Sequence, residues 1–183
     1  GTNAAGGTWG AGASNYNVGV GSGAMSGVLT AALYNVGVGS DSGLVLTTGD
    51  HNTMVGNTAG DIITTGTQNT IVGSAADPSA VDGTNQTVIG YGVTGHGDNI
   101  AVIGNASTTA WHPADDNGVD LGATNYRFAN LYVADMQLSN ENTGGNEVDG
   151  TEGSWSIQEG EEDLYLLNRK SGKKYKFKLE EVT

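Results

Sequence analysis

The chain has 183 residues and a formal net charge of −13, and 31 of its residues are glycine. It has only two prolines and its glycines show no Gly-X-Y period, which excludes collagen. The absence of cysteine excludes disulfides and thiolate metal sites. No apolar run reaches the roughly 18 residues that a membrane-spanning helix requires.

The charge is distributed unevenly along the chain. Residues 1–168 contain 18 acidic side chains and a single basic one, Arg127, whereas residues 169–183 contain six basic and two acidic side chains. The acidic body would repel nucleic acid phosphates and anionic membranes, so we expect neither nucleic acid binding nor membrane insertion. The chain starts without Met or a basic-then-apolar leader, so we expect a fragment or a processed product.

One short phrase, an apolar pair followed by glycine, recurs from residue 17 onward, and residues 1–14 are expected to form an incomplete first turn. Its repeated positions are Gly21, Gly39, Gly56, Gly73, Gly90 and Gly104, together with Asn17, Asn35, Asn52 and Asn69. Successive glycines lie 18, 17, 17, 17 and 14 residues apart. A nearly constant period is typical of stacked repeat architectures.

Each repeat has the chemistry of short strands and turns. The third repeat contains two β-branched pieces, 53–55 and 62–65, bounded by Gly, Asn and Asp. Stacked at about 4.8 Å, such strands would bond the turns above and below. The repeated asparagines either form an amide ladder or serve only as turn residues. The sequence therefore predicts an all-β fold, with a parallel β-solenoid over residues 1–110.

A single solenoid of this size has a weak core. Burying the few aliphatic side chains of each turn contributes a few kcal/mol at most, and ordering each repeat opposes this. Symmetric association would bury more apolar surface and hide sheet edges. We therefore predict a homotrimer in which rows of Val and Ile face the three-fold axis.

Two motifs resemble known families. Residues 52–60 (Asn-Thr-Met-Val-Gly-Asn-Thr-Ala-Gly) and 66–74 resemble the repeats of bacteriophage tail fibres and the head repeats of trimeric autotransporter adhesins. This resemblance implies a trimeric left-handed parallel β-roll that presents binding surfaces. Residues 120–132, with the pattern Leu-Gly-…-Tyr-Arg-Phe-…-Leu-Tyr, are similar to a segment near the C-termini of phage fibre proteins and favour the phage alternative.

The sequence pattern changes after the repeats. Residues 111–138 are predicted to be an extended β neck whose core comes from Leu121, Tyr126, Phe128, Leu131, Val133, Met136 and Leu138. Residues 139–183 are predicted to be a small antiparallel C-terminal domain. Its polar loop over 140–153 precedes a three-stranded meander, because residues 154–158 and 174–179 alternate with a period of two.

The candidate site residues lie where the repeat becomes irregular. Loops that leave a rigid scaffold often carry binding sites, and the loops here span 75–83 and 91–98. Aromatic side chains suit sugar binding, so the predicted receptor-binding residues are Tyr91, His96, Trp111 and His112.

The first metal candidate is an acidic cluster, and the second is a site made by one axial histidine from each chain of a trimer, for which surface histidines are the favoured alternative. The acidic cluster comprises Asp115, Asp116, Asn117 and Asp120 and lacks the spacing and closing Glu of a calcium loop. The three histidines are isolated from one another in the sequence. We expect no metal and no cofactor.

The favoured function is a structural and receptor-binding segment of a homotrimeric phage tail fibre. We expect it to be extracellular, as part of the virion, and to bind a bacterial surface polysaccharide or outer-membrane receptor without catalysis. A bacterial surface adhesin or self-assembling extracellular fibre is the second possibility. A glycan-cleaving tailspike, with paired carboxylates meeting across subunits, is the third.

Overall fold

The structure, a computed structural model, describes residues 14–115 and 118–178. Within these ranges the chain is all-β without a helix, as predicted. A parallel β-solenoid of about five turns is followed by a four-stranded antiparallel sheet. The division between two compact units falls between Trp111 and His112.

Three sequence predictions fall outside the described residues in part. They are the incomplete first turn over 1–13, the end of the C-terminal domain over 179–183, and Asp116 and Asn117 of the acidic cluster. The described part contains no helix long and apolar enough to cross a membrane.

Six three-residue strands form one parallel sheet in chain order. They are β1 (Val18–Val20), β2 (Val36–Val38), β3 (Thr53–Val55), β4 (Thr70–Val72), β5 (Thr87–Ile89) and β6 (Ala101–Ile103). Each residue pairs with its equivalent in the next repeat, so Met54 lies opposite Ile71, and Ile71 lies opposite Val88. Because successive strands are separated by a nearly constant number of residues, equivalent side chains stack in rows.

The central side chains of β3, β4 and β5 point into the solenoid. Met54, Ile71 and Val88 are fully buried in this row. A second buried row consists of Leu29, Leu46 and Ile63. The two rows form one hydrophobic core that runs along the solenoid axis.

The second half of each repeat differs from the predicted second strand. Residues 44–48 and 62–65 are turns and bends, although the Thr47 N–H still donates a 2.9 Å bond to the Thr64 carbonyl. Gly43 and Gly60 adopt left-handed conformations with φ near 61° and 62°. These turns redirect the chain, so the hydrogen bonds between repeats do not form a continuous strand ladder there.

The repeated asparagines form a buried amide ladder. Asn35 Nδ2 donates a 3.0 Å bond to Asn17 Oδ1, and Asn69 Nδ2 donates a 2.9 Å bond to Asn52 Oδ1. The ladder ends at Gln86, whose backbone N–H donates a 3.0 Å bond to Asn69 Oδ1. Of the two interpretations that the sequence left open, the structure shows the ladder.

The C-terminal unit is a sheet in the order β10-β9-β8-β7. Its strands are β7 (Asp135–Ser139), β8 (Ser154–Glu159), β9 (Leu164–Asn168) and β10 (Lys174–Lys176). The last three are the predicted meander. The additional strand β7 comes from the end of the segment that the sequence assigned to the neck.

Within one chain, the described part of the predicted neck has little regular structure before β7. Residues 119–134 contain no strand, and their one bridge joins Ala123 to Tyr126. Leu121, Tyr126 and Phe128 are exposed. The apolar side chains are present, but no second layer of described residues in this unit covers them.

Candidate binding surface at the end of the solenoid

The solenoid becomes irregular at its last turn. Thr87 pairs with Ala101, fourteen positions later, whereas Thr70 pairs with Thr87 after seventeen. The shortened connection leaves a cleft of about 520 Å³ beside β6. It is lined by Gly92, Val93, Thr94, His96, Val102, Ile103, Gly104, Asn105 and Ala106.

Asn105 holds the rim of this cleft in place. Its Nδ2 donates a 2.8 Å hydrogen bond to the Tyr91 carbonyl, and its Oδ1 accepts a 3.0 Å bond from the Ser107 N–H. The Thr108 hydroxyl in turn accepts a 3.1 Å bond from the Asn105 N–H. The loop after β5 and the turn after β6 are therefore fixed to each other by side-chain bonds.

The cleft combines an apolar floor with a neutral polar rim. Val93 is buried and Val102 is half-buried, and His96 is exposed at the edge. No carboxylate lines the cleft among the described residues, so it lacks the pair of acids that glycoside hydrolysis uses. Its chemistry suits the binding of a neutral ligand.

The structure separates the four predicted site residues. His96 lines the cleft, and Tyr91 lies at its rim with 74% of its surface exposed. Trp111, which is 68% exposed, and His112 do not line it. Sequence analysis missed Val93, Val102 and Asn105, although the shortened final step indicated the region.

A second exposed feature is a column of rings on the outside of the solenoid. Tyr16 and Tyr34 stack with centroids 4.9 Å apart and an interplanar angle of 3°, and Tyr34 stacks on His51 at 5.0 Å. Each ring precedes a ladder position, as Asn17, Asn35 and Asn52 follow directly in the sequence. These three aromatic residues occupy the same position in successive repeats, and this pattern in the sequence could have predicted the column.

Carboxylates occupy neighbouring turns at one corner of the solenoid. Burial, and then the negative charge of Asp61, raise the pKa of Asp77 to about 6. Burial and the charge of Asp41 raise the pKa of Asp61. The described residues include no group of three or more His, Asp or Glu side chains arranged to hold a metal ion.

Comparisons of the chain with protein-family models, with curated proteins and with solved structures found no match. The class of protein that the fold defines is a repeat protein with a parallel β-solenoid and a small antiparallel sheet.

Proposed function

We propose that the chain is a structural and receptor-binding segment of a homotrimeric, extracellular phage tail fibre that attaches to a host surface without catalysis. The observation that carries this proposal is an aliphatic strip on the outer face of the solenoid sheet. The strip is the row formed by the third residue of each strand. Its members are Val20, Val38, Val55, Val72, Ile89 and Ile103.

This strip is contiguous and open to solvent. Val20 is 53% exposed, and Val55, Val72 and Ile103 are also exposed, while Val38 and Ile89 are half-buried. Neighbouring members are one strand spacing apart, about 4.8 Å. A continuous apolar surface of this kind is typical of an interface between proteins.

Three copies around one axis would cover the strip. Parallel solenoids in register would each turn this face inward, and closed symmetry buries it without leaving an open end that could grow into a filament. Burying the exposed half of each aliphatic side chain contributes on the order of 1 kcal/mol. Six such side chains per chain would supply the stabilisation that the slender core of one solenoid lacks.

The C-terminal sheet independently supports association. Directly paired residues share one face of a sheet, and this face carries the pairs Leu138–Trp155 and Met136–Ile157, together with Leu166 opposite Tyr175. No second layer of described residues in this unit covers that face. Because a single-layer sheet requires packing on its apolar side, further copies of the chain are the expected partners of the part around Met136, Ile157 and Leu166. The Leu138–Trp155 end of the face stays open to solvent in this arrangement.

The receptor-binding role is supported by the cleft beside β6, where His96 and the Tyr91 rim are accessible. A bacterial surface polysaccharide or outer-membrane receptor is the proposed partner. The resemblance of residues 120–132 to phage fibre proteins favours a fibre of the virion over a bacterial adhesin, which would share the same architecture.

Two measurements test the proposal. Light scattering on the purified chain should give three times the 18.6 kDa chain mass, and a mass of one chain would contradict the trimer. Fluorescently labelled protein should bind the surface of some strains in a panel of bacteria, and His96→Ala should weaken this binding. Binding to none of the strains would contradict the attachment role.

A further inference from the structure

The C-terminal unit contains a second cleft, of about 650 Å³, at the loop end of its sheet. One wall is the loop over 140–153, and the other is the turn between β9 and β10. Its lining includes Trp155, Asn168, Asp149, Glu152 and Lys170. The volume falls in the usual range of small-molecule sites, about 300–1,000 Å³.

Internal hydrogen bonds hold the loop wall in a defined shape. Asn146 Nδ2 donates a 2.8 Å bond to the Thr151 carbonyl, and Asp149 Oδ1 accepts bonds of 2.9 and 2.7 Å from the N–H and hydroxyl of Thr151. Asn140 Oδ1 accepts a 2.6 Å bond from the Gly153 N–H. Because these bonds join groups of the loop to one another, binding would require little further ordering of the loop.

The indole of Trp155 has an unused donor beside this cleft. Its N–H donates to no described residue, and the side chain is half-buried. A Cβ at Gly153 would lie 2.9 Å from Trp155 Nε1. Glycine at position 153 therefore leaves room beside the indole N–H, which usually has a hydrogen-bond partner when the ring is packed.

Two further polar groups of the cleft have unused capacity. Asn168 Oδ1 accepts a 2.8 Å bond from the Ser171 N–H, while its Nδ2 donates to no described residue. The loop donors converge on Oδ1 of Asp149, which leaves its Oδ2 available as an acceptor. The cleft thus offers an aromatic ring, two donors and one acceptor to a ligand.

The charge of the cleft disfavours anionic ligands. Bonds from the Thr151 hydroxyl and N–H and from the Asn146 amide lower the pKa of Asp149, so it stays ionised at neutral pH. Glu152 adds a second negative charge at the lining. The Lys170 ammonium is paired with Glu141 at 3.5 Å, which offsets its positive charge.

We propose that this cleft is a binding site for a neutral saccharide. The proposal rests on the proposed receptor-binding function and places a second receptor-binding site outside the solenoid. The apolar C–H face of a sugar ring packs on the Trp155 indole. Sugar hydroxyls accept from the indole N–H and Asn168 Nδ2 and donate to Asp149 Oδ2. A sugar carboxylate or sulfate would be repelled by Asp149 and Glu152.

An array of immobilised neutral, acetamido and acidic oligosaccharides provides the test with the full chain. We expect the chain to retain at least one neutral glycan. We expect it to retain no glycan whose binding depends on an acidic group. Titration of the retained glycan, monitored by tryptophan fluorescence, then gives its Kd. Retention of acidic glycans alone, or of no glycan, would overturn the proposal.

Two conservative variants test the assigned contacts. Asn168→Asp keeps the Oδ1 that accepts from Ser171 but removes the Nδ2 donor, and Trp155→Phe keeps an aromatic ring but removes the indole N–H. Each should raise the Kd about tenfold, the effect of one lost hydrogen bond. Lys173→Ala, at an exposed turn residue that does not line the cleft, should leave the Kd unchanged. Equal thermal melts would show that all three variants fold.

The outcomes separate this inference from the proposed function. If the glycan binds both variants as tightly as it binds the wild-type chain, this site is wrong, although cell attachment and trimer mass can still support the fibre. If glycan binding depends on Trp155 and Asn168 in a chain that is monomeric and binds no cells, the site is correct and the fibre proposal fails.

Discussion

The side-chain amide of Asn52 donates a 3.0 Å hydrogen bond to Oδ1 of Asn35, the equivalent residue one turn earlier. The same Nδ2 donates a 2.8 Å bond to the Gly66 carbonyl. Its Oδ1 accepts from the N–H of Asn69 at 3.1 Å and from the Nδ2 of Asn69 at 2.9 Å. Asn52 is fully buried, so this one amide joins three turns and has all its bonding positions filled.

Replacement of this amide should be costly. Asn52→Ala leaves the Gly66 carbonyl and the Asn69 N–H buried without their partners, and we expect a loss of about 3 kcal/mol in the free energy of unfolding. Urea denaturation measures this loss. Asn57→Ala is the control, because Asn57 is exposed and makes a single 3.3 Å bond to Ser40. It should change stability by less than about 0.5 kcal/mol, and equal losses in the two variants would contradict a stabilising ladder.

Gly56 tests the close approach of successive turns. Its φ is 142°, and a Cβ there would lie 2.4 Å from the Gly73 carbonyl oxygen. Gly56→Ala should therefore lower the free energy of unfolding by about 3 kcal/mol or more, since both backbone strain and a backbone clash result. Circular dichroism melts provide the measurement.

The matched control is Gly92→Ala. Gly92 also has a left-handed φ of 59°, but no atom lies within 4 Å of its would-be Cβ. Only the conformational cost of about 1 kcal/mol should appear. If Gly92→Ala destabilises the chain as much as Gly56→Ala, the clash between turns is not the cause.

Asp77 should make stability depend on pH. Its folded-state pKa of about 6 lies above the ordinary 3.8, so its contribution is fully present below about pH 4 and is lost as the pH rises through about 6. Asp77→Asn should therefore stabilise the chain at pH 7, by about 1 kcal/mol after allowance for solvent screening at this half-exposed group. The gain should vanish at pH 4. Thermal melts from pH 4 to 7 measure the difference between the two chains.

Asp98→Asn should have the opposite effect on stability at neutral pH. The Thr84 N–H and the Gln86 amide lower the pKa of Asp98, so its stabilising effect is present above the ordinary pKa and is lost as the pH falls. This substitution should destabilise the chain at pH 7. A destabilising effect of Asp77→Asn at pH 7 would contradict the burial of its charge as the dominant cause.

The aliphatic strip should control oligomeric state. Val72→Asp places a charge in the middle of the strip, and we expect the mass in light scattering to fall from three chains to one. Ile62→Asp is the control, because Ile62 and Val72 are both 37% exposed and Ile62 lies outside the strip. This control should remain trimeric. Dissociation of both variants, or of neither, would contradict the strip as the interface.

The site at the end of the solenoid could be predicted only in outline. The shortened step before Gly104 indicated where the repeat fails, and His96 lies in the resulting cleft. The floor residues Val93 and Val102 and the bond from Asn105 to Tyr91 depend on how two connections meet in space. Local composition carries no signal for such a meeting, so Trp111 and His112 looked equally suitable in the sequence.

The repeat period alone specifies which residues stack along the solenoid. A period near 17 residues places Asn35, Asn52 and Asn69 in one row, and Met54 and Ile71 in another, because each turn packs on the turn next to it in the chain. The repeat period and the residue types were sufficient to predict these rows, because the residue that pairs with each position always lies one repeat away.

Features that depend on distant or directional contacts were settled by three-dimensional packing. It turned residues 62–65 into bends rather than a strand, and it joined β7 to β8 across the loop over 140–153. The choice between an amide ladder and isolated turn residues was also made there. Hydrogen bonds are satisfied in three dimensions, and a β-branched run or a repeated asparagine is compatible with more than one set of partners until the packing of neighbouring segments selects one.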